Sequence, residues 1–142
     1  MTAMLEIKGL SVDIAGSSIL TSVALSISQG SFVGLVGRNG AGKTTLMRTI
    51  MGLLPVRAGA VTFFGADLRA MPARARAGLG IGYMPEDRRL VPDLTVEENI
   101  LVPAWATGDA ELSERLDFVY GLLPEVRDLA PRRALALSGG RP

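Results

Sequence analysis

Near the start of the chain apolar side chains recur at every second position: Leu5 and Ile7, then Val12 and Ile14, and, after an Ala15-Gly16-Ser17-Ser18 break, Val23, Leu25 and Ile27. Such alternation predicts two antiparallel strands, each burying one face. Gln29-Gly30 makes a turn, and Phe32 to Val36 is a nearly all-apolar run of the kind found in a strand covered on both faces. A glycine-rich loop follows. From Lys43 the spacing changes to Leu46, Ile50 and Leu53 or Leu54, a helical stripe that Pro55 ends. Ala60 to Phe64 reads as a further strand, Pro72 to Ala77 as a short helix and Ile81 to Met84 as a strand. Ala73-Arg74-Ala75-Arg76, within that short helix, reads as a solvated face.

Beyond Pro92 the pattern is helical. Thr95 with Glu98 three residues on has the form of a capping box, opening a helix from Val96 to about Ala106. Asp109 is placed to cap a second helix, whose Leu112, Leu116, Val119 and Leu123 share one face and which Pro124 stops. The chain therefore divides into residues 1–92, where strands dominate, and a helical part, 93–142. Trp105, on the first of these helices, reads as a packed residue.

Composition narrows the chemistry. The 142 residues are 48% hydrophobic, ample for a core, and 15 basic against 14 acidic side chains leave a net charge of +1. No global field recruits nucleic acid or a membrane surface. With neither cysteine nor histidine, disulfides, thiolate zinc sites, cysteine nucleophiles and the commonest general base are excluded. No window approaches the roughly 18 consecutive apolar residues of a membrane span, and Met1 to Lys8 does not read as a secretory signal, so a cytoplasmic location is expected. Lysine occurs only at Lys8 and Lys43, beside 13 arginines.

Lys43 closes the run Gly37-Arg38-Asn39-Gly40-Ala41-Gly42-Lys43-Thr44, a phosphate-binding loop pattern that Thr45 extends. Its place between a strand and a helix is the one its mechanism needs. Glycines let the backbone approach phosphate oxygens and present successive N–H groups at the positive end of the helix. Lys43 adds a cation for the β- and γ-phosphates, and the Thr44 hydroxyl is a hard oxygen ligand for Mg²⁺. This loop alone does not choose among kinases, GTPases, helicases and transporter motors.

Leu137-Ser138-Gly139-Gly140, whose serine lies 95 positions after Lys43, supplies a second landmark. With it the sequence resembles the ABC-type ATPases over essentially its whole length. Ile81-Gly82-Tyr83-Met84-Pro85-Glu86-Asp87-Arg88-Arg89-Leu90 and Leu94-Thr95-Val96-Glu97-Glu98-Asn99-Ile100 look like the ATP-binding subunits of branched-chain amino acid importers. The resemblance implies an α/β P-loop nucleotide hydrolase fold, the ABC cassette. Residues 1–92 would be the N-terminal part of its ATP-binding core and 93–142 a helical subdomain reaching the signature motif. It implies ATP and Mg²⁺ as cofactors, bound by Gly37, Asn39, Gly40, Ala41, Gly42, Lys43, Thr44 and Thr45. It also implies a head-to-tail dimer in which Ser138, Gly139 and Gly140 face the γ-phosphate of ATP held by a second ATP-binding subunit, with membrane-spanning permease subunits as partners on the inner face of the cell membrane.

Departures from the family pattern qualify these expectations. Glu86 stands where the family carries a glutamine touching Mg²⁺; a carboxylate keeps an oxygen ligand and adds charge. Ile14, after Asp13, stands where an aromatic stacks on adenine, leaving apolar contact without stacking. Arg88 and Arg89 read as solvated or as facing an acidic patch of a membrane partner. In the family an acidic strand, a catalytic glutamate and a switch histidine follow the signature, whereas this sequence runs to Arg141-Pro142. Proline at the fourth position of a helix capped by Ser138 lacks the N–H needed there, so the reading departs from the family after Gly140. The expectation is an incomplete cassette with little turnover and a tendency to aggregate. Three functions follow: an importer's energy-coupling subunit, a nucleotide-binding module without catalysis, and, less favoured, a soluble ABC protein outside transport.

Overall fold

Ala15 at φ 50° and Gly16 at φ 81° form a two-residue turn that folds β1 (Ala3–Ile14) back on β2 (Ser17–Ser28), with Ile14 opposite Ser17. Two successive left-handed residues match the twist of the strands they join. The computed structural model describes residues 3–86 and 90–137. These form two compact units, 1–81 and 82–142, each treated by itself; the boundary expected at 92–93 falls inside the second.

In the first unit β3 (Ala58–Phe63) pairs antiparallel with β1, and β4 (Ala66–Asp67) with β3, giving the sheet order β2-β1-β3-β4. The buried apolar set on β1 is Leu5 and Ile7, then Leu10 and Val12, so the alternation skips once. The skip coincides with a register shift and with Gly9 at φ 60°. A Cβ on Gly59 would lie 2.4 Å from the Gly9 carbonyl oxygen, so the two strands approach here only because Gly59 is a glycine. These residues, with Leu20, Leu46, Val61 and Leu68, make the core on which α1 (Lys43–Ile50) packs through Leu46. A 3₁₀ turn (Leu68–Ala70) and α2 (Ala73–Ala77) complete the unit.

Two expected strands are absent. Residues 31–38 have no strand pairing, Phe32 and Val36 are almost fully exposed, and Ile81 to Met84 is likewise irregular. A strand exists only where a neighbour satisfies its backbone, and no described residue pairs with either run. Apolar character alone announced them. Helix α1 also stops earlier than Pro55, because Gly52 at φ 73° turns the chain after the Met51 cap.

The second unit is helical: α3 (Val96–Thr107), α4 (Leu112–Leu122), α5 (Pro124–Arg127) and α6 (Ala134–Leu137). Thr95 and Glu98 form the reciprocal capping box the sequence announces, with Glu98 N–H donating to Thr95 Oγ1 at 3.1 Å and Thr95 N–H to Glu98 Oε2 at 2.7 Å. Asp109 does not cap α4. Its Oδ1 accepts from Glu111 N–H one residue ahead of the helix, and its Oδ2 meets Arg115 Nε at 2.6 Å. Leu112, Leu116 and Val119 are half-buried as their spacing requires, but Leu123 is exposed and Tyr120 holds the buried place. The Tyr120 hydroxyl donates to Glu97 Oε2 at 2.9 Å and so ties α4 to the first turn of α3. Trp105 is about half exposed (48%) rather than packed; Leu101 and Ala104 carry the inner face of α3.

Candidate functional site

Residues 37–45 wrap the N-terminus of α1. Gly40 at φ 81° and Gly42 at φ 89° adopt left-handed backbone that lets the loop curl into the helix, and Gly42 is its N-cap without any capping side chain. A Cβ on Gly42 would fall 2.6 Å from Leu20 Cδ2 and 3.4 Å from the Ile19 carbonyl oxygen, so β2 presses directly on the loop. The first intrahelical bond runs from Leu46 N–H to the Gly42 carbonyl at 2.8 Å. The amides of Lys43, Thr44 and Thr45 ahead of it are the helix's unsatisfied donors. No acid occupies that first turn, so its positive potential is uncompensated.

The Lys43 ammonium arches back over the loop, donating to the carbonyls of Gly37 at 2.6 Å and Arg38 at 2.8 Å. An ammonium has three donors, so these two bonds fix the loop's curl and leave one N–H for an anion. Ala41 N–H is turned inward to the Arg38 carbonyl at 3.1 Å and so serves the loop's own turn. Thr44 is exposed and Thr45 half-buried. Glycines, a lysine and two threonines thus lie together at a helix N-terminus whose leading amides have no intrahelical partner.

The hairpin tip stands beside this loop, since Ile19 and Leu20 touch Gly42 and Ile14 lies on the paired strand three residues from the turn's far side. Ile14 is 38% exposed. Asp13 next to it pairs through Oδ2 with Arg57 Nε at 2.9 Å, while its Oδ1 is buried without a hydrogen-bond partner among the described residues. Glu86 is exposed and belongs to the second unit, whereas the loop belongs to the first. Ser138, Gly139 and Gly140, like Arg88 and Arg89, lie outside the described residues.

No group of three or more carboxylate, imidazole or thiol side chains able to hold a metal occurs among the described residues. The donor set at the loop, one exposed hydroxyl beside unsatisfied amides, fits a Mg²⁺ that arrives with a polyphosphate and completes its shell with phosphate oxygens and water.

Sequence reasoning missed Arg76. Read as part of a solvated face, it is 5% exposed, and its guanidinium donates to the carbonyls of Thr49 and Met71 at 3.1 Å each, and to those of Ile50 and Leu68. Burial pushes its pKa down from the ordinary arginine value. No local signal marks it: Ala73-Arg74-Ala75-Arg76 alternates without distinguishing the buried Arg76 from the exposed Arg74.

Residues 20–141 match the ABC transporter family. The chain is 38% identical over 122 residues to a probable branched-chain amino acid transport ATP-binding protein, LivF, of Archaeoglobus fulgidus, covering 86% of this chain and 52% of that protein. It is 33% identical over 140 residues to the lipopolysaccharide export system ATP-binding protein LptB of Escherichia coli K12, covering 97% and 58%. Among solved structures it is similar to the ATP-binding subunit of an ABC transporter, with a TM-score of 0.78 at 33% identity over 89% of this chain and 53% of that one. A nucleotide-free ATP-binding cassette shares the fold, with a TM-score of 0.72 over 98% of this chain. The fold and the loop thus define an ABC cassette, mixed α/β with N-terminal antiparallel strands. The chain belongs to the ABC transporter family, and it spans about half the length of the curated relatives it matches.

Proposed function

We propose that this chain binds Mg²⁺-ATP through residues 37–45 as part of the ATP-binding subunit of an ABC importer for branched-chain or related amino acids. One observation carries the binding: an acid-free helix N-terminus whose glycine loop is held open by Lys43. In this reading the amides of Lys43, Thr44 and Thr45 grip phosphate oxygens, the ammonium turns its remaining N–H to the β- and γ-phosphates, and Thr44 Oγ1 ligates the metal. Mg²⁺ supplies charge neutralisation between phosphates. Permease subunits and a second ATP-binding subunit are the partners; by the family pattern Ser138, Gly139 and Gly140 would serve the latter's nucleotide and Glu86 would serve the metal.

The amino acid substrate rests on residues 81–90 and 94–100 and on the likeness to LivF and to BraG of Pseudomonas aeruginosa, a high-affinity branched-chain amino acid transport ATP-binding protein 33% identical over 121 residues. Lipopolysaccharide export is the second reading, favoured by the longer match to LptB. Binding itself is tested by competition against labelled ATP on the purified chain. Because the loop reads phosphates and Ile14 offers no stacking surface, inorganic tripolyphosphate should displace ATP and adenosine should not. Displacement by adenosine alone would overturn the assignment.

A further inference from the structure

Helix α1 is only eight residues long, about 12 Å, and a helix that short has no stability of its own. What holds it decides where Lys43 and Thr44 sit. On its core side Leu46 and Thr49 are buried, and at its front Gly42 abuts Leu20. Its rear end is closed by an arginine from another element. Of the last carbonyls, those of Met47, Arg48 and Thr49 accept from Met51, Leu53 and Gly52 N–H, whereas that of Ile50 accepts from Arg76 Nη1, which also adds a second bond to the Thr49 carbonyl. The other edge of the same guanidinium holds the carbonyls of Leu68 and Met71, the first residue of the 3₁₀ turn and the residue that closes it.

Gly52 makes room for this clamp: a Cβ there would lie 2.7 Å from Arg76 Cζ. The residue is thus a buried cation placed on the negative end of the helix whose positive end carries the phosphate loop. A planar fork with five donors can span four carbonyls; an ammonium cannot.

Resting on the nucleotide-binding reading above, we propose that Arg76 is a positioning residue for the phosphate loop. By clamping the carbonyl end of α1 to the segment 68–71, it preorganises the donors at the opposite end, so phosphate affinity depends on a guanidinium that never touches the nucleotide. Without the clamp the last turn of α1 frays, and the remaining turn no longer fixes the amides of residues 43–45.

The experiment measures Mg²⁺-ATP affinity and thermal midpoint together for wild type, Arg76→Ala, Arg76→Lys and Leu5→Ala. The last removes core packing from β1 without touching α1's carbonyls. Arg76→Ala should weaken ATP binding by about tenfold or more, low-millimolar guanidinium should restore much of that loss, and Leu5→Ala should lower the midpoint with affinity within about twofold. Arg76→Lys should fold and bind with intermediate affinity, and it decides the matter should the alanine variant not fold. Wild-type affinity in a folded Arg76→Ala or Arg76→Lys, or guanidinium that raises the midpoint without regaining affinity, overturns the proposal. So does a parallel affinity loss in Leu5→Ala. A wild-type chain that retains no ATP is a separate outcome, which removes the nucleotide-binding reading and the proposal with it.

Discussion

Gly42 concentrates three demands on one residue: a φ of 89°, contact with Leu20, and the cap of a helix whose first amides must stay open. Gly42→Ala places a methyl where Leu20 Cδ2 now lies 2.6 Å away and forces a left-handed alanine. We predict a loss of stability of about 1–3 kcal/mol together with weakened ATP binding, read by thermal unfolding and by titration. An unchanged midpoint would mean that the loop relaxes away from β2 freely. The phosphate loop was legible because its chemistry is local: glycine positions, a lysine and a threonine at fixed spacing specify the geometry without reference to the rest of the chain. Arg76 was not, because its role depends on α1 ending at Ile50 and on Gly52 leaving space, neither of which shows in a run of alternating alanine and arginine.

At the level of elements, the start of α3 and the β1–β2 hairpin carried their own signal, whereas two further apolar runs did not become strands. The capping box at Thr95 and Glu98 is a contact between residues three apart, so a sequence can state it outright. Thr95→Ala removes the acceptor for Glu98 N–H; we predict a loss of about 1 kcal/mol in the second unit, seen as faster hydrogen exchange in the first turn of α3. Unchanged exchange there would show that Glu98 alone closes the helix. The β1–β2 hairpin was readable for a similar reason, alternating runs on either side of the Ala15-Gly16-Ser17-Ser18 break, although the turn itself is only Ala15-Gly16. Phe32 to Val36 and Ile81 to Met84 were not, because a run of apolar residues states a preference for burial while the pairing partner must come from elsewhere in the fold. Asp109 shows the limit of local logic in another way, as its carboxylate bonds Glu111 N–H and Arg115 one step before the helix it was expected to cap.

Across the molecule as a whole, the first unit presents Phe32, Val33, Leu35 and Val36 to solvent in one short run, and the chain's net charge is only +1. Unpaired backbone beside exposed apolar side chains invites association, and near-neutral charge does little to oppose it. We predict concentration-dependent association by light scattering, reduced in the double variant Phe32→Lys and Val36→Lys. A wild-type chain that stays monomeric across the accessible range would show that this run is less adhesive than its exposure implies.

The nucleotide-binding assignment turns on Lys43, whose ammonium both shapes the loop through Gly37 and Arg38 and is the cation directed at the phosphates. Calorimetric titration of Mg²⁺-ATP into the wild-type chain and into Lys43→Ala, with thermal midpoints recorded for both, is the direct measurement. We predict saturable binding to wild type and a loss of at least about tenfold in the variant, with the midpoint nearly unchanged because Lys43 contributes little to the core. Equal affinity in the two chains would contradict the assignment and place any ATP site elsewhere.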